Sequence, residues 1–241
     1  MTKSVIILGV GASNGVGGAL ARRFASEGLH VFVSGRTPEK IEAVAQEVRD
    51  AGGSAEAVRA DVTSPEDQDA VFDHAARRGD VAAVLYNAGN NAIIPFEQLD
   101  AQTYEAFWRV GNFGAFLTAK RAIPILKAQG SGSLFFTGAS GSWRGRANFA
   151  HFASMKAGLR MLAQSLAREF GPAGVHVAHF IIDGVIDGDM VRARFGEYLD
   201  KLGEDGGLAP DGIAEAFWHV HTQHRSAWTH EMDLRPFKET W

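Results

Sequence analysis

Five glycines lie within ten residues near the start of the chain, at positions 9, 11, 15, 17 and 18. Gly11, Gly15 and Gly17 have the spacing Gly-x-x-x-Gly-x-Gly, after an apolar run and before a helical pattern. Such a turn lets the backbone approach a phosphate, and the N–H groups and positive dipole end of the next helix attract an anion. The pattern favours binding of a pyrophosphate. A glycine-rich turn that only packs a helix is the alternative.

A positive charge ends the next predicted strand. In dinucleotide-binding folds this position carries an acid that binds the adenosine ribose hydroxyls, or a base that binds a 2′-phosphate. Arg36 stands there, so the sequence favours NADP(H) over NAD(H). An ordinary surface arginine that opens the following helix is the alternative.

An alternation of strands and helices must position these residues. The sequence predicts strands at 5–8, 30–34, 55–60, 81–86, 132–137, 175–182 and 226–234. Helices are predicted between them, including one over 100–129, one over 148–170 and two within 187–222. Repeated βα units of this length predict an α/β fold, a Rossmann-like doubly wound parallel sheet of about seven strands with helices on both faces. We expect one domain over residues 1–241.

The composition argues against several classes of protein. A net charge of −4 and a pI near 6.1 give no basic footprint for nucleic acid. The chain has no cysteine, so it has neither disulfides nor thiolate catalysis, and we expect no metal site. No apolar run approaches the ~18 residues of a membrane span. We therefore expect a cytoplasmic protein that binds a small molecule and has no membrane or nucleic-acid partner.

These features resemble the short-chain dehydrogenase/reductase family over nearly the whole chain. The glycine loop, Asp61-Val62, Asn87-Ala88-Gly89, Asn112 and Lys156 stand where the motifs of that family stand, in the same order. The resemblance implies that Asp61 binds the adenine, Asn112 holds a proton-relay water, and Lys156 holds the nicotinamide ribose and lowers the pKa of the catalytic acid. It further implies a set of cofactor contacts. These are Gly11, Ser13, Asn14, Gly15, Val16, Gly17, Arg36, Asp61, Val62, Asn87, Ala88, Gly89, Lys156, Gly184 and Val185.

The chain departs from the family pattern at the proton donor. The family has a tyrosine four residues before the lysine, on the same helix face, and here that residue is Phe152. The family serine falls on Ala139, with Ser140 and Ser142 close by. The Pro-Gly that usually follows the sixth strand is replaced by Asp183-Gly184. Phenylalanine neither donates nor accepts a proton, so another group must act if the reaction occurs.

Three replacements for the tyrosine are open at this point. Asp183 is a carboxyl group at the end of the sixth strand. Ser140 or Ser142 would position the substrate while Lys156 and a water held by Asn112 deliver the proton. His151 is adjacent to Phe152, but one residue along a helix turns a side chain by about 100°.

The sequence favours an NADP(H)-dependent oxidoreductase that acts on a small apolar carbonyl, alcohol or activated double bond. A nucleotide-binding protein without hydride transfer and a non-redox lyase or isomerase are the alternatives. Residues around 90–97, 141–151 and 185–210 are expected to build the substrate pocket, and their apolar side chains hint at an apolar substrate: Ile93, Ile94, Phe96, Trp143, Phe149 and Phe195. The family resemblance also implies a homo-oligomer, a dimer or a tetramer.

Overall fold

A computed structural model describes residues 3–89 and 91–240. Within these residues seven parallel strands form one sheet, in the order β3-β2-β1-β4-β5-β6-β7. The strands are β1 (Ser4–Leu8), β2 (His30–Gly35), β3 (Ser54–Arg59), β4 (Val81–Tyr86), β5 (Ser133–Thr137), β6 (His176–Ile182) and β7 (Glu231–Leu234). The predicted doubly wound parallel sheet is confirmed.

Helices connect the strands and cover both faces of the sheet. They are α1 (Val16–Ser26), α2 (Pro38–Asp50), α3 (Pro65–Ala76), α4 (Ala101–Trp108), α5 (Gly114–Gln129), α6 (Ala150–Phe170), α7 (Asp189–Leu202) and α8 (Pro210–His221). Successive side chains of a strand point to opposite faces, so Val5 and Ile7 pack with α1, α2 and α8, whereas Ile6 and Leu8 pack with α3, α5 and α6. Burial on both faces explains the unbroken apolar run of β1.

The strand order reverses between β1 and β4. Chain connections leave in opposite directions from such a point, and the loops at the carboxyl ends of the two strands open a crevice in which open α/β sheets bind ligands. The glycine loop after β1 and Asn87-Ala88-Gly89 after β4 both lie at this edge. The topology therefore brings together the two nucleotide motifs identified in the sequence.

Two predicted elements differ from the structure. The helix predicted over 100–129 is divided by a π-helical segment, Arg109–Phe113. The carbonyl of Val110 accepts a hydrogen bond from the buried Tyr86 hydroxyl, a tertiary contact that a helical pattern does not contain. The strand predicted over 226–234 is also too long, because Arg225–Ala227 forms a 3₁₀ turn and pairing with β6 begins only at Glu231.

Two features are absent from the described residues. No helix among them is long and apolar enough to cross a membrane. No group of three or more histidine, aspartate or glutamate side chains in that part of the chain is arranged to hold a metal ion.

Candidate active site

The glycine loop joins the end of β1 to α1 and packs tightly at its base. Gly9 has a φ of +88°, and a Cβ on it would overlap the backbone of Ala88 after β4. A Cβ on Gly18 would overlap the Ser13 carbonyl, because the loop lies directly against the first turn of α1. Glycine is required at these two positions by the fold itself.

Gly11 differs from these glycines because no contact among the described residues requires it. It is exposed, its φ is not in the left-handed region, and no atom of a described residue other than Gly11 and its two chain neighbours lies within 4 Å of the place where its Cβ would stand. Beside it, Gly15 is the N-cap residue of α1, and this helix begins without a side-chain cap and without an acidic residue in its first turn. An open approach to uncapped N–H groups at the positive end of a helix fits an external anion.

Ser13 and Asn14, in the middle of the loop, are held by neighbouring helices. The Ser13 hydroxyl donates to the Glu47 carboxylate of α2, and Arg22 of α1 donates to the Ser13 carbonyl at 3.1 Å. The Asn14 carbonyl accepts from the backbone N–H of Asp189 at 2.9 Å. The first residue of α7 is therefore fastened to the glycine loop, a contact that the sequence did not indicate.

The segment between β6 and α7 brings two further predicted residues to the same edge. Gly184 has a φ of +148°, and its Cβ would lie 2.7 Å from Pro236 Cδ. The Val185 carbonyl accepts from the Leu208 backbone N–H at 2.8 Å. This segment is therefore anchored to the C-terminal region and to the chain just before α8.

The predicted adenosine end carries one exposed positive charge and one fixed negative charge. Arg36 is exposed just after β2, and no described residue forms a hydrogen bond or an ion pair with its guanidinium. Burial raises the pKa of Asp61, but two hydrogen bonds from Thr63 and the charges of Arg36 and Arg59 outweigh this effect and lower the pKa below its ordinary value. Asp61 is thus a carboxylate, and the neighbouring Val62 is buried.

Asn87, just after β4, forms side-chain hydrogen bonds to the ends of two other strands. Its amide Nδ2 donates to the Gly9 carbonyl at 3.2 Å, and its Oδ1 accepts from the Thr137 hydroxyl at 3.0 Å. The ends of β1, β4 and β5 are therefore fixed relative to one another. A Cβ on Gly89, two residues later, would lie 3.5 Å from Lys156 Nζ, so the Asn87-Ala88-Gly89 turn lies beside the lysine.

Lys156 is a buried amine at the centre of this edge. The residue is 5% exposed, and its Nζ donates to the Thr137 carbonyl at 2.7 Å. Burial lowers the pKa of Lys156 to about 8, because an ammonium loses hydration in the interior. The group can therefore exchange a proton near neutral pH.

Phe152 precedes Lys156 by one turn of α6. Lys156 Nζ lies 5.8 Å from the centroid of the Phe152 ring. The same ring packs on Gly141, where a Cβ would lie 3.0 Å from two ring carbons. Phe152 thus contacts both the lysine and the serine turn, Ser140–Ser142, which is a single 3₁₀ turn.

Asn112 lies in the π-helical segment and contacts α6. A Cβ on Gly158 would overlap its side-chain amide, and a Cβ on Gly111 would overlap the side chain of Met155. Two glycines therefore allow the segment to pack unusually close to the helix that carries Lys156. π-Helical turns are frequent at functional sites, and this one places the amide beside the lysine helix.

The three predicted substrate stretches are partly in contact and largely open to solvent. The Ile94 N–H donates to the Asn148 carbonyl at 3.0 Å, which joins the first stretch to the second. Asn90, at the start of the first stretch, lies outside the described residues. Four apolar side chains are well exposed: Ile93 (62%), Phe96 (76%), Trp143 (37%) and Phe195 (52%).

Comparison with known proteins identifies the fold family. The family model described as "short chain dehydrogenase" matches residues 4–198. This chain belongs to the short-chain dehydrogenases. It is 32% identical over 216 residues to the uncharacterized oxidoreductase YuxG of Bacillus subtilis, covering 88% of this chain but only 31% of that protein's length.

Solved structures of short-chain dehydrogenases match almost the entire chain. One from Rhodopseudomonas palustris has a TM-score of 0.82 and 32% identity, with 97% of this chain and 99% of that chain covered. A metagenomic short-chain oxidoreductase, solved in complex with NADP, also has a TM-score of 0.82, at 23% identity, covering 99% of each chain. The predicted family is confirmed, and with it membership of a family of oxidoreductases.

The proposed proton donors of this short-chain dehydrogenase differ in their burial and in their partners. The Asp183 carboxylate is buried at the end of β6 and accepts from Arg144 Nη2 at 2.8 Å. The buried His151 ring packs edge-on against Phe107 of α4, with ring centroids 4.3 Å apart. Ser142 has a buried hydroxyl with no hydrogen-bond partner among the described residues. Lys156 is a titratable group that directly adjoins both Phe152 and the Asn87-Ala88-Gly89 turn.

Proposed function

We propose that this chain is an NADP(H)-dependent oxidoreductase in which Lys156 supplies the proton that a tyrosine supplies elsewhere in the family. The observation that carries the proposal is the buried Lys156 amine, whose pKa of about 8 lies near physiological pH. The nicotinamide, when bound, would supply or accept the hydride. The chain itself must bind the nucleotide, orient the substrate and move the proton.

Nucleotide binding follows from three features of the described residues. The open space at Gly11 and the uncapped start of α1 suit the pyrophosphate. The exposed guanidinium of Arg36 suits a 2′-phosphate, because arginine binds phosphate oxygens through charge-assisted hydrogen bonds. We therefore assign Arg36 as the residue that favours NADP(H) over NAD(H).

Proton transfer is assigned to Lys156, acting through a water held by Asn112, with Ser140 or Ser142 orienting the substrate oxygen. Asp183 fits a donor role poorly, because its carboxylate already accepts from a guanidinium. In the reducing direction Lys156 must be protonated, so turnover should fall as pH rises through the lysine pKa of about 8. The exposed apolar residues Ile93, Phe96 and Trp143 favour an apolar ketone or activated double bond as substrate.

Calorimetric titration of NADPH and NADH tests the cofactor assignment. A hydrogen bond to a charged group contributes ~1.5–3 kcal/mol, so Arg36→Asp should weaken NADPH binding by roughly 10- to 100-fold. It should not weaken NADH binding, because an acid at this position can bind the ribose hydroxyls. Arg168→Asp is the matched control, because it changes the net charge equally in the last turn of α6, at the opposite edge of the sheet. If the wild-type chain binds neither nucleotide, the oxidoreductase proposal fails.

A nucleotide-binding protein without hydride transfer is the second candidate, favoured by Phe152 and Ala139 at the catalytic positions. It differs from the first in one measurable respect. Steady cofactor turnover that is lost in Lys156→Met, at unchanged folding, would exclude it. Tight nucleotide binding without turnover across a broad panel of ketones, alcohols and enones would favour it.

A further inference from the structure

A buried ion pair joins the loop after β5 to the end of β6. The Asp183 side chain is 3% exposed, and its Oδ1 lies 2.8 Å from Arg144 Nη2. Arg235 approaches the other carboxylate oxygen at 3.7 Å and also pairs with Asp233. The backbone N–H of Asp183 donates to the Leu234 carbonyl at 2.8 Å, which fixes the position of the carboxylate.

Arg144 also closes the turn that carries the candidate serines. Its backbone N–H donates to the Ser140 carbonyl at 3.2 Å, and the Ser142 N–H donates to the Ala139 carbonyl at 2.9 Å. Gly141, in the middle of the turn, faces the Phe152 ring. The residue whose guanidinium holds Asp183 is therefore part of the same turn that packs on the proposed active site.

We propose that Asp183 and Arg144 form a positioning pair that fixes the serine turn, Ser140–Ser142, against Phe152 and α6. The pair anchors the loop from Gly138 to Phe149 by a side chain where regular structure does not, because residues 144–148 form no helix or strand. A carboxylate this deeply buried is stable only with its partner, and breaking such a pair leaves an uncompensated charge. The catalytic part of this inference rests on the proposed function, but the structural part does not.

Hydrogen exchange of the free protein, followed by mass spectrometry of peptides that span 138–149, tests the pair without substrate or nucleotide. In Asp183→Asn, which keeps the shape and removes the charge, exchange in this loop should accelerate about tenfold or more, with β5 unchanged. Asp187→Asn is the matched control, because Asp187, on the same segment after β6, pairs with Arg192 and not with Arg144. Equal protection of the loop in wild type, Asp183→Asn and Asp187→Asn would overturn the proposal.

Arg144 provides a second variant in case Asp183→Asn unfolds. Its side chain is 30% exposed, so Arg144→Gln removes the pair by a change near the surface, and Arg235 remains 3.7 Å from the Asp183 carboxylate. This variant should accelerate exchange in the same loop, and Arg144→Lys, which retains the charge, should restore much of the protection. Wild-type protection in Arg144→Gln would overturn the proposal.

Kinetics separate positioning from binding. Asp183→Asn should lower kcat about 10- to 100-fold while the Kd for NADPH changes less than about threefold, because the pair orients the serine turn and not the nucleotide loop. If Asp183→Asn accelerates exchange in the loop but neither the wild type nor any variant shows turnover, the proposed function is refuted and the positioning pair stands. Unaltered exchange in an active enzyme would refute the pair alone.

Discussion

Phe152→Tyr should raise the turnover of this protein. The change adds one hydroxyl to a ring that already packs on Gly141 and lies near Lys156. Nζ lies 5.8 Å from the ring centroid and a phenol oxygen lies about 2.8 Å from its own ring centroid, so the new oxygen would stand about 3 to 9 Å from Nζ, where unit charges interact by about 2 to 6 kcal/mol at an effective dielectric constant near 20. That interaction favours the phenolate and lowers the pKa of the introduced phenol toward neutrality, where a general acid works best.

The expected gain is about 10- to 100-fold in kcat. A positioned general acid contributes ~10²–10⁴ in rate, and we expect the existing route through Lys156 to recover part of that factor already. The assay is NADPH consumption with a panel of apolar ketones and enones. Phe116→Tyr, the same chemical change at an exposed position of α5, should leave turnover unchanged.

The double variant Phe152→Tyr/Lys156→Met should lose the gain, because the lysine charge lowers the pKa of the phenol. The reasoning is refuted if Phe152→Tyr folds, binds NADPH as the wild type does, and yet shows no rise in turnover. In that case proton supply does not limit this protein, and the absence of the tyrosine needs another explanation.

Two further predictions concern stability. Burial lowers the pKa of His30, His179 and His221 to about 4 each. Between about pH 6.5 and 4 the unfolded chain therefore binds up to three more protons than the folded chain. The free energy of unfolding should decrease as the pH is lowered through this range, by up to about 4 kcal/mol per pH unit. Urea midpoints that stay constant from pH 7 to 5 would contradict this. Gly9→Ala and Gly28→Ala both place alanine at a positive φ, but only the first meets another backbone, so Gly9→Ala should cost ~1–3 kcal/mol more in denaturant unfolding. Equal losses would contradict the close contact with Ala88.

Local patterns in the sequence predicted most of the fold. The apolar runs of β1 and β4 mark strands buried on both faces, and the spacing Gly11-x-x-x-Gly15-x-Gly17 marks the turn between strand and helix. These features depend on the conformational preferences and periodicity of neighbouring residues. Local patterns did not predict the π-helical segment at 109–113, because it depends on contacts with distant residues. The Tyr86 hydroxyl donates to its backbone, and Gly111 and Gly158 allow it to pack closely on α6.

The candidate site was only partly predictable. The nucleotide motifs identified the residues at the carboxyl edge of the sheet, and the position of Lys156 on α6 followed from its spacing to Phe152. The sequence alone made Asp183 a candidate acid, because it shows a carboxyl group at a strand end but does not show which residue pairs with it. Its role depends on Arg144, 39 residues earlier in the chain.

The sequence by itself determined the βα alternation, the glycine turn, the positive charge at Arg36 and the absence of the family tyrosine, since each is a property of residue type and short spacing. Only the tertiary structure decided that Arg36 is exposed and forms no hydrogen bond or ion pair among the described residues, that Lys156 is buried with a lowered pKa, and that Asp183 is held by Arg144. The physical reason is that charge state and hydrogen bonding depend on desolvation and on partners from distant elements. These are fixed only when the strands reach their register and the helices pack on the sheet.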